Sequence, residues 1–317
     1  MMKKILVMCI CFIVISLCIP LSFQVMYSAQ ETSERKSDEV ALGAFNQEDI
    51  VVPVFREELN VQQELLLEKY IIGVVSAEMP ASFEFEALKA QAIAARTYTH
   101  KVLATEPYIL DTVQHQVFND EEQLRKRWGK DFEQNYAKIK AAVEETENLV
   151  MMYEDTLIDP LFFAISNGKT ENSEDYFSNS LPYLRAVDSE WDKSVDDFEA
   201  QVSISLADLQ KIFADDDLTF KSFQILSRTL GGNVQEVAVG DHVYSGREFR
   251  EKLELRSADF SFEESNDEIY ITTFGYGHGV GMSQHGANEL AKTGKTYDQI
   301  LNHYYQNIKI IEKNTLH

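Results

Sequence analysis

Hydrophobic and polar positions change their period several times along the chain. An uncharged run from Ile5 to Gln30 follows Lys3 and Lys4, and roughly 20 apolar residues are enough to span a bilayer. Residues 30–50 are polar and charged and read as a linker. Ile50 to Phe55 (IVVPVF) has a strand pattern, with Pro53 pointing to a sheet edge. Glu57 to Leu67 carries mixed helix and strand signals. Next comes the stretch on which the chain is organised. Tyr70 to Val75 is an apolar run, Ser76 to Pro80 is a sharp turn, and Phe83 to Leu103 is a helix. Ala87, Leu88, Ala90, Gln91, Ala94 and Ala95 set small and apolar faces at helical spacing there. Pro80 biases Met79 away from helix. Glu78 therefore falls at an element boundary among apolar residues, where desolvation raises a carboxyl pKa towards the range of a general acid.

Pro107 to Asn119 reads as irregular. Residues 120–148 are charged and helical, with Trp128, Phe132, Tyr136, Ile139 and Val143 marking one core-facing stripe. Leu149–Tyr153 and Leu157–Ile165 are strands around a Glu154-Asp155 turn. Ser166-Asn167-Gly168 is a turn signal, and Glu171, Glu174 and Asp175 follow in a loop. Ser205 begins a helix, and Ser245 to Glu248 is a capping box before another. Between them, Lys221–Leu230 and Asn233–Tyr244 form a hairpin about Gly231-Gly232, with a second turn at Gly240-Asp241. Ile269–Phe274 is a strand, and Gly275 to Gly281 holds four glycines in seven residues. Helices follow at about Ser283–Thr293 and Asp298–Tyr305, and Ile308–Ile311 closes the chain. The pattern describes an α+β protein whose mixed core domain, with an active-site cleft, comprises residues 50–187 and 264–317. A smaller α/β lobe, 188–263, is inserted in it. Residues 1–29 form a transmembrane anchor and 30–49 a linker.

Charge narrows the partners. The 317 residues carry a net charge of −23, so nucleic acid is excluded as a partner, because phosphate binding needs a basic surface. The amino-terminal lysines place that end in the cytoplasm and the bulk of the chain outside, as a single-pass membrane protein. A cleaved signal peptide is the alternative, though Tyr27-Ser28-Ala29 is a poor cleavage site. Cys9, Cys11 and Cys18 all fall in the anchor. The exported part therefore has no structural disulfide and no cysteine-ligated metal.

Three chemistries are open to a chain of this make-up. His278 and His285 are seven apart with His303 downstream, but no HExxH pattern exists, so we expect no metal and no cofactor. His278 is read equally as a hydrogen-bonded pocket residue or a substrate contact. GxSxG is absent, which disfavours serine hydrolysis. Cleavage of a glycosidic bond ordinarily needs two carboxylates, whereas a lytic transglycosylase can act with one. One buried glutamate with polar neighbours would meet that requirement. Lys89 and Arg96, seven apart, share a helix face, as do Gln91 and Tyr98.

Three blocks resemble the signature of the stage II sporulation protein D family, which includes the amidase-enhancer proteins. They are SAEMP with EALKAQAIAARTY (residues 76–98), SNGKTENSEDYF (166–177) and FGYGHGVGMSQHGANELAKTGKTYDQILNHYY (274–305). They stand in the family's order and span most of the region beyond residue 60. The resemblance implies that Glu78 is the acid of a lytic transglycosylase acting on peptidoglycan glycan strands. It implies that Lys89, Gln91 and Arg96 line the cleft, Lys89 and Arg96 being able to bind the lactyl carboxylate of a peptide-free muramic acid. Tyr98, Ser166, Asn167, Glu171, His278, Gln284 and His285 are further cleft candidates. Some relatives carry a metal through Cys and His near the second of these blocks, where this chain reads Phe163-Ala164-Ile165-Ser166-Asn167. By the same resemblance, the protein would sit in the mother-cell membrane facing the intermembrane space during engulfment. A cell-wall amidase and a membrane partner would act with it. The family also contains non-enzymatic amidase enhancers, which leaves that role, and a scaffold role, open.

Overall fold

The structure is a computed structural model that describes residues 50–265 and 268–313. The transmembrane anchor expected at 1–29, with its cysteines, and the linker at 30–49 lie outside the described residues. Among the described residues no helix is long and apolar enough to cross a membrane. Val51–Arg56 (β1) and Val61–Leu66 (β2) form an antiparallel hairpin, and helix α1 (Leu67–Glu78) starts directly after it. The expected sheet-edge position of Pro53 is corrected here: β1 is the central strand, because Ile109–Leu110 (β3) pairs parallel to its other side. The proline is tolerated because β3 begins opposite Val54, so the missing N–H faces no ladder.

The apolar run Tyr70–Val75 is the middle of α1, a helix buried on almost every side. An all-round apolar helix is a core helix, and its sequence shows no amphipathic period. Gly73 makes that packing possible. A Cβ there would lie 2.2 Å from the Phe118 ring and 2.7 Å from the Asn119 carbonyl. Helix α2 (Phe85–Leu103) runs through the centre, its alanines allowing close contact with α1 and with strand β4 (Leu149–Tyr153). The charged segment is two helices rather than one, α3 (Glu121–Trp128) and α4 (Phe132–Glu144), broken at Gly129 with φ +53°. Phe132, Ile139 and Val143 are buried as the stripe requires, while Trp128 and Tyr136 sit at its margin. The β4 turn uses left-handed Glu154 (φ 44°) and Asp155 (φ 64°) before the short β5 (Thr156–Leu157), the geometry that suits a two-residue hairpin.

Phe162–Phe163 (β6) precedes the SNGKTE block and the short helix α5 (Ser173–Tyr176). A second apolar cluster then forms. Its elements are β7 (Glu199–Ser205), α6 (Leu206–Phe213), β8 (Phe223–Arg228), β9 (Val234–Val239), β10 (His242–Ser245), α7 (Gly246–Lys252), β11 (Phe260–Ser265) and β12 (Glu268–Phe274). They make two three-stranded sheets, β10-β9-β8 and β11-β12-β7. Ser205 and Ser245 cap α6 and α7 by accepting the N–H of Asp208 and Glu248. The cluster is built on Phe213, Phe249 and Phe260 and takes in Ile269 and Ile271. Finally Met282–Ser283 (β13) pairs parallel with β6 and leads into α8 (Gln284–Lys292). Helix α9 (Tyr297–Tyr304) and β14 (Lys309–Glu312) complete the mixed α+β fold, β14 pairing with β4.

Candidate active site

Glu78 is the last residue of α1. Met79 closes that helix by donating its N–H to the Val75 carbonyl, and Pro80 prevents another turn. The side chain opens into a cleft of about 370 Å³ that is also lined by Phe83, Asp197, Arg256, Tyr276, Gln284 and His285. The residue keeps some surface towards the cleft, but its carboxyl is densely surrounded. Burial pushes its pKa up, opposed by the Val117 N–H, which donates to Oε1 at 3.2 Å, and by the nearby Gln284 amide. The Gln284 nitrogen is buried and completes no hydrogen bond. Glu78 is thus a carboxyl biased towards its protonated form with two donors beside it, able to give a proton and then hold a negative charge.

Gln284 and His285 are placed by a buried polar network. Ser283 caps α8 by accepting the Gly286 N–H at 3.1 Å and donates its own Oγ proton to Asp192 at 2.8 Å. Asp192 also accepts from Ser189, whose hydroxyl meets that of Tyr304 at 2.9 Å. Burial pushes the Asp192 carboxyl up to about 7. The ring of His285 packs edge-on against Phe83 at 4.9 Å, and desolvation lowers its pKa. Asn288 accepts the Glu84 N–H at 2.7 Å, which docks α8 on the start of α2.

The opposite wall comes from residues that sequence reading missed. The Arg256 guanidinium lies 4.7 Å from the centre of the Tyr276 ring and donates to the Asp197 carbonyl at 2.9 Å, while its Nε has no partner. Tyr276 is 48 % exposed. Its place is set by Gly275, whose φ of +78° and tight contact with the Ile165 carbonyl admit no side chain. An exposed aromatic inside a glycine-rich block is a signal that could have found Tyr276. Asp197 and Arg256 carry no such local signal.

The structure brings Glu78, Gln284 and His285 together and places the other candidates elsewhere. Arg96 is wholly buried, and its guanidinium is engaged by both oxygens of Glu68 and by the carbonyls of Val143 and Leu149. The expectation that it lines the cleft is therefore corrected. Lys89 is tied to Glu86 at 3.0 Å and to Glu145 at 2.6 Å, away from the cleft lining. Gln91 is fully buried, with neither amide atom hydrogen-bonded. Tyr98 is partly buried, its ring 6.4 Å from His115. Ser166 accepts the Gly168 N–H at 2.9 Å, and Asn167 donates to Gly231 O and Asp259, both at 3.0 Å. Glu171 is buried, accepts from Thr229 at 2.8 Å and from the Asn233 N–H at 3.1 Å, and is pushed by burial up to about 7. The SNGKTE block is thus a brace between the two apolar clusters rather than a cleft wall. His278 packs among Phe163, Tyr176 and Phe177 and accepts the Val280 N–H at 3.0 Å; desolvation lowers its pKa to about 4. This is the pocket-histidine alternative. Among the described residues no group of three or more His, Cys, Asp or Glu is arranged to hold a metal ion.

A family of stage II sporulation proteins matches residues 56–153, which include Glu78 and all of α2. The chain is 41 % identical over 282 residues to stage II sporulation protein D of Bacillus amyloliquefaciens, covering 83 % of this chain and 79 % of the relative. To the protein of the same name from Bacillus subtilis (strain 168) it is 40 % identical over 272 residues, with the same coverage of each. The chain belongs to the stage II sporulation protein D family. A more distant relative of the family, the amidase enhancer of Bacillus subtilis (strain 168), is 28 % identical over 288 residues. That match covers 74 % of this chain but 39 % of the relative. Family membership makes this a sporulation protein, and the Glu78 cleft falls partly within the matched stretch and partly in the distant residues 164–285.

Proposed function

We propose that this protein is a lytic transglycosylase of peptidoglycan glycan strands, with Glu78 as its single acid and base. The observation that carries the reading is a carboxyl of raised pKa, held at a helix end by the Val117 N–H, opening into a polar cleft. Protonated Glu78 gives its proton to the glycosidic oxygen as the bond from C1 of muramic acid breaks. The resulting carboxylate, stabilised by Val117 N–H and the Gln284 amide, takes the proton of the C6 hydroxyl. That oxygen closes on C1 to give a 1,6-anhydro ring, Glu78 regains its proton, and no water is consumed. Arg256, whose guanidinium lines the cleft beside the exposed Tyr276 ring, suits the lactyl carboxylate of a peptide-free muramic acid. It takes the role first assigned to Lys89 and Arg96.

In this reading residues 1–29 anchor the chain in the mother-cell membrane with the cleft outside. A wall amidase that strips stem peptides supplies the substrate, and a membrane partner of the engulfment complex holds both. A second reading, a non-enzymatic activator of an amidase, is favoured by the name of the distant relative.

The test is to incubate the full chain in detergent with peptide-free glycan strands and analyse the ends by mass spectrometry. Anhydro-muramyl ends that vanish in Glu78→Gln support the transglycosylase. Reducing ends would mean hydrolysis and would make Asp197, exposed in the same cleft, the second carboxylate. Intact glycan with a stimulated amidase would establish the activator.

A further inference from the structure

A second hollow, of about 470 Å³, lies beyond Pro80, a volume within the roughly 300–1,000 Å³ of ordinary ligand pockets. Pro80 is exposed and lines both this hollow and the Glu78 cleft. A linear ligand that leaves Glu78 over Pro80 enters the second hollow. We propose that it is a distal saccharide subsite, holding hydroxyl-rich sugar rings of the strand whose scissile bond lies at Glu78. The inference rests on the glycan-cleaving reading above and goes beyond it in assigning this surface.

The lining carries the argument. Trp128 offers a partly exposed indole beside Asp131, Gln134 and Asn135. None of the last three side chains makes a hydrogen bond or ion pair among the described residues. An aromatic face takes the C–H side of a pyranose ring, while amides and a carboxylate pair with its hydroxyls. The cations of the hollow are turned elsewhere. Lys138 Nζ donates to the Ala81 carbonyl at 2.9 Å and also to Phe83 O, and Arg127 Nη1 donates to Ser76 O at 3.3 Å. The side chains left free are two amides and one carboxylate, which fits the hydroxyls of a sugar, while Lys138 and Arg127 keep their charge beside them. The Lys138 bonds fasten the Pro80–Phe83 turn onto α4, and the Arg127 bond fastens the end of α3 onto α1, so the hollow is fixed relative to Glu78.

The experiment uses full-length Glu78→Gln protein in detergent, which does not cut, titrated with a peptide-free glycan disaccharide and octasaccharide. The octasaccharide is expected to bind about tenfold tighter. Adding Asn135→Ala or Trp128→Ala should remove most of that advantage while leaving disaccharide affinity unchanged. Asn135 is the safer probe, since Trp128 also packs on the core. A length advantage that survives both substitutions overturns the subsite and leaves the catalytic reading standing. Weakened capture of a purified amidase with glycan affinity intact overturns it in favour of a protein site. Failure of both oligosaccharides to bind overturns the catalytic reading and the subsite together.

Discussion

Arg96 and Glu68 form a bidentate ion pair, Nε to Oε1 at 2.8 Å and Nη2 to Oε2 at 2.6 Å, with the arginine side chain entirely buried. The pair ties α2 to α1, and the remaining guanidinium donors hold the carbonyls of Val143 and Leu149. Removing one partner of a buried pair leaves an uncompensated charge. Glu68 keeps 25 % of its side-chain surface, so Arg96→Ala should cost about 3 kcal/mol, the low end for such pairs. The expected result is a lowered melting temperature with KM unchanged for the molecules that remain folded. A normal melting temperature with a raised KM would return Arg96 to the substrate.

Glu78 makes stability and activity fall together as pH rises, and its replacement separates the two. Its folded pKa is raised, so the folded state retains a proton that the unfolded state loses. The stability associated with that proton is full below the unfolded carboxyl range and declines as pH rises through the folded pKa. Glu78→Gln is neutral at every pH, so its stability relative to wild type should grow with rising pH while cleavage is abolished. In the wild type, kcat/KM should fall as pH rises through the same pKa, because the acid must be protonated to act. Denaturation midpoints and rates measured across one pH series check both. A wild-type-minus-variant difference that is flat with pH would remove the premise.

The parts of the fold that a local pattern specifies were legible. The Ser205 and Ser245 caps, the Glu154-Asp155 turn and α2 follow from short-range chemistry. The helical nature of Tyr70–Val75 was not, because burial on all sides erases the period that marks a surface helix. Within the candidate site, the position before Pro80 put Glu78 at an element boundary, and the family resemblance singled it out. Spacing also showed that Lys89 and Arg96 share a face, but it carries no information on what that face meets. For Arg96 that is Glu68 and two carbonyls. Arg256 and Asp197 reach the cleft through the tertiary arrangement of the 188–263 segment, which no local spacing encodes.

Glu171 offers a separate pH test away from the cleft. Burial pushes its carboxyl up to about 7, against the pull of Thr229 and the Asn233 N–H. The folded state therefore keeps a proton that the unfolded chain releases near pH 4.3. Stability from this group is complete below that value and is lost as pH rises through about 7. The full span corresponds to roughly 3 kcal/mol as an order of magnitude. Glu171→Gln keeps an acceptor for Thr229 and Asn233, so it should be more stable than wild type above pH 7 and equal to it at about pH 4. Urea midpoints across that range decide it. Parallel curves would show that Glu171 is ionised in the fold with a compensating partner.

Arg256 is the cleft cation best placed to read the substrate. Its Nη2 is held by the Asp197 carbonyl and its guanidinium lies against Tyr276, so the group meets the cleft with little freedom left to lose. A carboxylate that binds there gains a charge-assisted hydrogen bond of about 1.5 kcal/mol, or roughly tenfold in affinity. In peptide-free muramic acid the lactyl carboxylate is ionised, whereas in peptide-bearing strands it is an amide. Arg256→Gln should therefore raise KM about tenfold for peptide-free glycan, leave kcat close to wild type, and narrow the preference for stripped over peptide-bearing strands. The split matters, because a residue that merely shaped the cleft would affect both substrates alike. An equal loss on both strands would assign Arg256 to structure and leave the preference to be set elsewhere in the cleft.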